Sequence, residues 1–296
     1  VVWDDHEVAN DNWREGAENH TEGEEGAFLD RRKAAMQAYF EWMPVRATNP
    51  SEQGHLYRSL TFGDLVELTM MDLRTYRDEQ VRFGPRKMAA EGRTMLGSEQ
   101  YNWLLNKIET SSAKWNMLGN SVMFSPMNLA TLQQDDKTKP VSSSLSSNIT
   151  GIPVNGDQWD GYSAERRLLI DALSKHDSHT LFVTGDIHSE WAHNISKDGR
   201  IFGAEMVCAS VSAPNVNEQL KLPEGNELSK LAERYLMGAN PHTRHVDLDH
   251  HGYSFVTVRP DSAEMHWLRV DNLLTAKSPV REAVTMTWRP GEGYSK

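Results

Sequence analysis

Acidic and imidazole side chains follow directly after an apolar run in the middle of the chain. Leu181–Thr184 is predicted to be a buried strand that Gly185 ends, and Asp186 and His188 come immediately afterwards. In open α/β sheets, ligands bind outside the carboxyl ends of the strands, where these two side chains are expected. A carboxylate oxygen beside an imidazole nitrogen is a typical pair of metal ligands.

A second cluster of the same kind lies at the beginning of the sequence. Val1–Trp3 is predicted to be the end of another strand, and it leads into the run Asp, Asp, His, Glu at positions 4–7. A single Asp-His pair at a strand end is more often structural. Two such pairs on neighbouring strands would repel each other unless a cation neutralised them, so we expect a metal-dependent hydrolase. The mixed donors suit iron, zinc or manganese, and a carboxylate-rich part suits calcium.

Composition limits the classes of function. The 296 residues are 38% hydrophobic and 25% charged, as in soluble globular proteins. The formal charge of -11 argues against a nucleic-acid partner, and bound metal ions could supply the positive charge that an anionic substrate needs. No apolar run approaches the roughly 18 residues of a transmembrane helix. Cys208 is the one cysteine, so an intrachain disulfide is excluded, and we expect it to be a small core residue.

The pattern of elements predicts a layered α/β sandwich. Apolar residues at helical spacing predict a helix over residues 27–43, and Gly63-Asp64 is predicted to be the turn of a hairpin. Strands and helices alternate early, whereas strands dominate late and end in a predicted hairpin over residues 253–270. The polar stretch Ser142–Ser147 is predicted to be a mobile surface loop.

Three further segments carry residues that could contact a substrate. Arg74 follows a predicted strand and could hold phosphate with its guanidinium fork, although an ion pair with Asp72 or Asp78 is an equally good interpretation. Residues 157–162 could form a substrate-facing turn, but a loop anchored by buried aromatic rings is favoured. Residues 247–252 could support a metal ligand, but a hydrogen-bonded turn is favoured.

Five motifs spread over nearly the whole chain point to one family. They are Trp3-Asp4-Asp5-His6-Glu7-Val8-Ala9-Asn10, Asp72-Leu73-Arg74, Gln158-Trp159-Asp160-Gly161-Tyr162, Gly185-Asp186-Ile187-His188-Ser189 and Asp247-Leu248-Asp249-His250-His251-Gly252-Tyr253. In this order they resemble the signatures of PhoD-like alkaline phosphatases and phosphodiesterases, which belong to the metallophosphatase group. The resemblance implies a four-layer α/β/β/α sandwich, hydrolysis of phosphate monoesters and diesters, an iron and calcium site, and a periplasmic or extracellular location.

The resemblance also implies roles for individual residues. Asp5 stands where the Gly-Asn-His-Glu motif of the group has its metal-binding asparagine, and His6 stands where that motif has its protonating histidine. Asp186 and His188 match the late metal-ligand motif. The expected chemistry is attack of a metal-activated hydroxide on phosphorus. His6 would protonate the leaving alkoxide or anchor the phosphate, and Arg74 would bind the substrate.

The family's earliest metal ligands have no counterpart in this sequence. They are an aspartate and a cysteine on one strand, followed by a Gly-Asp-x-x-Tyr segment, and they would precede Val1. We therefore expect residues 1–296 to be the C-terminal part of a metallophosphatase catalytic domain that lacks an upstream β domain and the first strands. Such a fragment is expected to bind metal weakly and to turn over little. The alternatives are a phospholipase D-like phosphodiesterase on the same scaffold and a catalytically degenerate metal-binding module.

Overall fold

The structure, a computed structural model, describes residues 1–47, 54–81, 84–131, 151–153 and 155–295. The described helices are α1 (Glu22–Glu25), α2 (Phe28–Trp42), α3 (Pro85–Met88), α4 (Gly97–Thr110), α5 (Ser163–Leu173), α6 (Val216–Gln219) and α7 (Glu227–Ala239), with a 3-10 turn at Trp159–Tyr162. The described strands are β1 (Arg58–Phe62), β2 (Val66–Met70), β3 (Trp115–Asn120), β4 (Asn128–Thr131), β5 (Gly151–Pro153), β6 (His179–Thr184), β7 (Glu190–Lys197), β8 (Arg200–Val207), β9 (Thr243–Asp247), β10 (Gly252–Arg259), β11 (Ser262–Val270), β12 (Val280–Arg289) and β13 (Gly293–Ser295). The loop predicted at Ser142–Ser147 lies outside the described residues.

A seven-stranded mixed sheet forms the centre of the molecule. Its strand order is β1-β2-β3-β6-β8-β7-β9. Strands β2, β3, β6 and β8 are parallel, whereas β1 is antiparallel to β2 and β7 is antiparallel to both β8 and β9. The carboxyl ends of the four parallel strands therefore meet at one edge, which is the edge where α/β sheets bind ligands.

A second sheet covers one face of the large sheet. It is antiparallel, with the order β10-β11-β12-β13. Alternate residues of its strands point towards the large sheet, because side chains on a strand alternate between the two faces. The fully buried residues of this interface include Trp115, Leu181, Ala204, Met265, Trp267 and Trp288.

Helices cover the other face of the large sheet. Leu104 and Ile108 of α4 and Leu169 of α5 share a core with Leu118 and Phe182 of the sheet. Helix α7 packs beside β9. The predicted layered α/β arrangement is therefore confirmed as helices, a large mixed sheet and a second sheet. None of the described helices is both long and apolar enough to cross a membrane.

The four-layer sandwich is not confirmed. In the part of the chain that the structure describes, the helices, the large sheet and the second sheet account for three layers. The outer face of β10 exposes Tyr253 and Phe255, with 48% and 44% of their surfaces accessible. These rings would be buried beneath a fourth layer packed on this face.

Most local predictions agree with the structure. Helix α2 corresponds to the helix predicted over residues 27–43, and β1 and β2 form the predicted hairpin. The predicted strand at Val1–Trp3 is wrong, because this segment pairs with no described strand. Instead, the Trp3 indole N–H donates a hydrogen bond to Asp72 at 3.0 Å, and its ring packs on Tyr39 at 5.3 Å. The late hairpin is β10 and β11, and β12 and β13 extend it into a sheet.

Packing between the two sheets should dominate stability. Trp267 is completely buried between them, and its indole N–H donates to the Val207 carbonyl at 2.9 Å. Trp267→Ala is expected to lower the free energy of unfolding by roughly 3–5 kcal/mol, because it leaves a cavity and removes the hydrogen bond to the Val207 carbonyl. Chemical denaturation measures this loss. Trp42 is 84% exposed, and Trp42→Ala should change the same free energy by less than about 0.5 kcal/mol; equal losses would contradict the assigned packing.

A buried and a half-buried histidine lie side by side near β7 and β9. The ring centroids of His193 and His242 are 5.3 Å apart. The His193 Nδ1 hydrogen bonds with the Thr243 hydroxyl at 3.0 Å, and the His242 Nε2 donates to the Pro126 carbonyl at 2.9 Å. Burial lowers the pKa of His242 to about 4. Burial and the neighbouring His242 lower the pKa of His193 well below its usual range. Both rings are therefore neutral in the folded protein near pH 7.

Acid should destabilise the fold through these histidines. Because the pKa of His242 is about 4 when folded and 6.5 when unfolded, the unfolded chain takes up a proton first as pH falls. His242 alone should therefore remove about 3 kcal/mol of stability between pH 6.5 and pH 4. His242→Gln keeps an N–H donor but cannot titrate, so its free energy of unfolding should fall less steeply than that of the wild type. His55→Gln, at an exposed position, is the control; parallel curves for the wild type and His242→Gln would refute the prediction.

Candidate functional site

Three carboxylates meet at the carboxyl edge of the large sheet. Asp4, Asp5 and Asp186 each offer an oxygen, and these oxygens all lie within 4.8 Å of one another. The structure thus brings Asp5 and Asp186 together, as their positions after apolar runs predict. Asp4 was not predicted as a site residue, although it lies directly beside Asp5 in the sequence. Oxygens at such spacing can be bridged by one hard divalent cation.

Backbone groups and an unusual turn position these carboxylates. Asp5 accepts hydrogen bonds from the backbone N–H groups of His6 at 2.9 Å and Asp11 at 2.8 Å. Asp186 comes directly after β6 and Gly185, and it has a positive φ of 67°. A non-glycine residue in this region costs of order 1–3 kcal/mol, so the surrounding structure must hold it there. Part of that support is the Gln158 side-chain amide, which donates to the Asp186 carboxylate.

Arg74 is buried in the middle of the carboxylates. Its Nε donates to Asp4 at 2.6 Å, its Nη1 donates to both Asp157 oxygens at 3.1 Å, and its Nη2 donates to Asp186 at 3.0 Å. The Nη2 also lies 4.0 Å from Asp5. The side chain is 1% exposed. The fork predicted to hold phosphate is therefore filled by carboxylates in the structure.

The two partners that the sequence offered for Arg74 make other contacts. Asp72 accepts the backbone N–H groups of Arg74 at 3.2 Å and Thr75 at 3.0 Å, rather than pairing with the guanidinium. Asp78 pairs with Arg14 at 3.0 Å. The true partners are 70 to 112 residues away in the sequence, so no local pattern identifies them.

A second buried arginine fixes the far side of this cluster. The Nη2 of Arg77 donates to the Asp157 carboxylate at 2.6 Å, and its Nη1 donates to the Asp157 carbonyl at 2.9 Å. Its Nε donates to the Asn12 carbonyl at 2.9 Å. Trp159 and Tyr162 are fully buried just after Asp157, so the favoured interpretation of this segment as an aromatic-anchored loop is correct. Arg77 was not predicted as a site residue, and Asp157 was named only as part of a turn that could face a substrate.

The pKa values in the cluster are shifted by burial, by repulsion between the carboxylates and by attraction to Arg74. Burial and the neighbouring Asp4 raise the pKa of Asp186 well above its usual range. Burial opposes ionisation of Asp4 as well, but Arg74 outweighs it and holds the pKa of Asp4 below the usual value. Burial and the nearby Asp157 raise the pKa of Asp11 to about 6. A divalent cation would relieve this repulsion, so the residues present fit a hard metal ion.

The two predicted histidines line the same cavity but do not belong to the group of three carboxylates within 4.8 Å. The His6 side chain is 76% exposed, and its Nε2 lies 3.8 Å from Asp5. The His188 Nδ1 lies 3.1 Å from the Pro214 carbonyl. A carbonyl can only accept a hydrogen bond, so Nδ1 carries the proton and Nε2 keeps the lone pair that a metal ligand needs. Both histidines line one cavity of about 490 Å³ together with Asp4, Asp5 and Asp186.

Comparisons with known proteins identify the family of the chain. A family model described as PhoD-like phosphatase matches residues 1–267. Alkaline phosphatase D of Bacillus subtilis (strain 168) is 34% identical over 276 residues, which cover 88% of this chain and 42% of that protein. A solved structure of PhoD matches with a TM-score of 0.79 and 26% identity, covering 100% of this chain and 54% of that one. The chain thus spans about half the length of these relatives. It belongs to the PhoD-like phosphatase family.

Proposed function

We propose that this chain carries the active site of a metal-dependent phosphate ester hydrolase, an alkaline phosphatase acting on monoesters and diesters. The observation that carries the proposal is the group of three carboxylate oxygens within 4.8 Å at the sheet edge. They line a cavity of about 490 Å³, large enough for a phosphate group and part of its alcohol. Membership of the PhoD-like phosphatase family supports the same reaction.

Asp5, Asp186 and His188 are the proposed metal ligands. The carboxylates suit calcium, and the imidazole nitrogen suits iron, which are the two metals that the family resemblance implies. A bound metal ion supplies positive charge for the phosphoryl oxygens and lowers the pKa of a water molecule. Asp4 lies in the same oxygen cluster and is a further candidate ligand.

His6 is the proposed proton donor to the leaving alkoxide. Its imidazole lines the cavity, and its exposure leaves it free to reach an ester oxygen there. Arg74 is proposed to favour the binding of an anionic phosphate through its charge. A direct contact between its fork and a phosphate oxygen would require it to leave one of its carboxylate partners.

The proposed catalytic domain includes residues 1–296 and further residues of a longer protein. This chain covers 42% and 54% of the matched relatives, and by the family resemblance we propose that upstream strands supply additional metal ligands. By the family resemblance, we propose that the whole protein acts in the periplasm or outside the cell.

Turnover of His6→Ala in the full-length protein tests this assignment. The variant is expected to lose roughly 10²–10⁴ in kcat towards an alkyl monoester such as glycerol 2-phosphate, because the alkoxide leaving group loses its proton donor. p-Nitrophenolate leaves without a proton, so kcat towards p-nitrophenyl phosphate should fall much less. The metal content of the variant by elemental analysis should stay close to that of the wild type. His55→Ala, at an exposed histidine away from the cavity, is the control and should retain activity. Full turnover of the alkyl monoester by His6→Ala would rule out the role proposed for His6.

The same assays separate the alternatives. Removal of metal with a chelator should abolish turnover, and restored metal should recover it. A strong preference for bis-p-nitrophenyl phosphate over the monoester would favour a phospholipase D-like phosphodiesterase. Full metal occupancy without turnover of either ester would favour a degenerate metal-binding module. This chain alone should turn over far less than the full-length protein.

A further inference from the structure

The cavity in front of the carboxylates and the arginine within them are on different sides of the cluster. Asp4, Asp157 and Asp186 line the cavity, whereas Arg74 does not. Arg74 nevertheless donates to all three of these carboxylates. Its guanidinium is thus behind the carboxylates as seen from the cavity. A group in this place contacts the potential metal ligands without contacting a molecule that enters the cavity.

The planar guanidinium fixes three carboxylates at once. Each of its three nitrogens serves a different aspartate, with distances of 2.6 Å to Asp4, 3.1 Å to Asp157 and 3.0 Å to Asp186. Carboxylate oxygens have several lone pairs, so an aspartate can accept from arginine on one side and bind a cation on the other. The rigid fork therefore sets the separation of Asp4 and Asp186, which would otherwise repel each other.

Arg74 is itself held in place by Asp157, which Arg77 holds in turn. Asp157 accepts from Arg74 through both carboxylate oxygens and from Arg77 through one of them. Arg77 is completely buried and also donates to the backbone carbonyls of Asp157 and Asn12. Arg77, Asp157 and Arg74 therefore form a continuous buried relay that ends at the carboxylates.

We propose, on the basis of the function proposed above, that Arg74 is a positioning residue for the metal site. Arg74 holds Asp4 and Asp186 at the spacing a cation requires, and Asp157 and Arg77 hold Arg74 in place. Its role depends on the three-way fork and not on its charge alone. A lysine has the charge but presents a single nitrogen, which cannot span Asp4, Asp157 and Asp186 together.

Metal affinity of Arg74→Lys in the full-length protein tests the proposal. Titration with Mn²⁺, followed by electron paramagnetic resonance of the free ion, is expected to show a Kd weaker by roughly 10- to 100-fold, as for other partners that orient metal ligands. Arg74→Met removes the opposing charge as well as the fork. If Arg74 merely competed with metal for the carboxylates, Arg74→Met would bind Mn²⁺ more tightly than the wild type. That result, or a wild-type Kd for Arg74→Lys, would overturn the proposal.

A matched arginine controls for general loss of stability. Arg166 is a half-buried arginine with an aspartate partner, Asp160, at 2.7 Å, and it contacts none of the clustered carboxylates. Arg166→Lys should lower the melting temperature but leave the Kd for Mn²⁺ unchanged. Asp157→Asn keeps the shape of the relay while weakening its grip on Arg74, and it should also weaken Mn²⁺ binding. It provides a second route to the same answer if Arg74→Lys does not fold.

The titrations also separate this proposal from the proposed function. A wild-type protein that binds no Mn²⁺ would overturn the metal site and the positioning role together. A wild-type protein that binds Mn²⁺ while Arg74→Lys and Asp157→Asn bind it equally well would overturn the positioning role alone.

Discussion

The charge balance between Arg74 and its aspartates is the constraint on which the site depends. Asp4, Asp157 and Asp186 come from the N-terminal segment, from the loop before α5 and from the end of β6, and all of them converge on one guanidinium. Charged groups can be buried only when they are paired and hydrogen-bonded. The loops at this sheet edge must therefore take up one particular arrangement before the carboxylates can be buried. The arginine thereby makes the geometry of a potential metal site a condition of folding.

Another arginine that pairs with two acidic side chains lies at this edge of the sheet. Arg269 of β11 donates to both oxygens of Glu190 at 2.9 and 2.7 Å, and it pairs with Asp247 at 2.8 Å. His245 hydrogen bonds with Glu190 at 3.0 Å. Buried ion pairs contribute little net stability, but breaking one is costly, so they mainly exclude alternative arrangements. Here the pairs fix the second sheet against the first, just after the segment that carries His188.

The sequence predicts the parts of this structure whose signals are local. An apolar strand followed by glycine, aspartate and histidine correctly predicts that Asp186 lies at the carboxyl edge of the sheet, and helix α2 and the β1–β2 hairpin follow from spacing and turn residues. The prediction at Val1–Trp3 fails because a strand needs a partner, and the short run itself cannot show whether one exists. The partners of Arg74 could not be predicted from the sequence for the same reason. Its position after β2 is visible in the sequence, whereas the three carboxylates that enclose it depend on the tertiary fold.

The turn after β6 explains how adjacent residues reach different parts of the site. Asp186 and His188 both have positive φ, of 67° and 51°. Such a backbone lets the Asp186 carboxylate turn inwards to Arg74 while His188, only two residues later, hydrogen bonds with the Pro214 carbonyl. The conformation is unfavourable by itself. It persists because the chain is anchored directly afterwards, where the Trp191 indole donates to Ser189 at 2.7 Å and Glu190 is held by Arg269. Rigidity at this edge thus comes from the segment directly after the turn together with Arg74, which also holds Asp186.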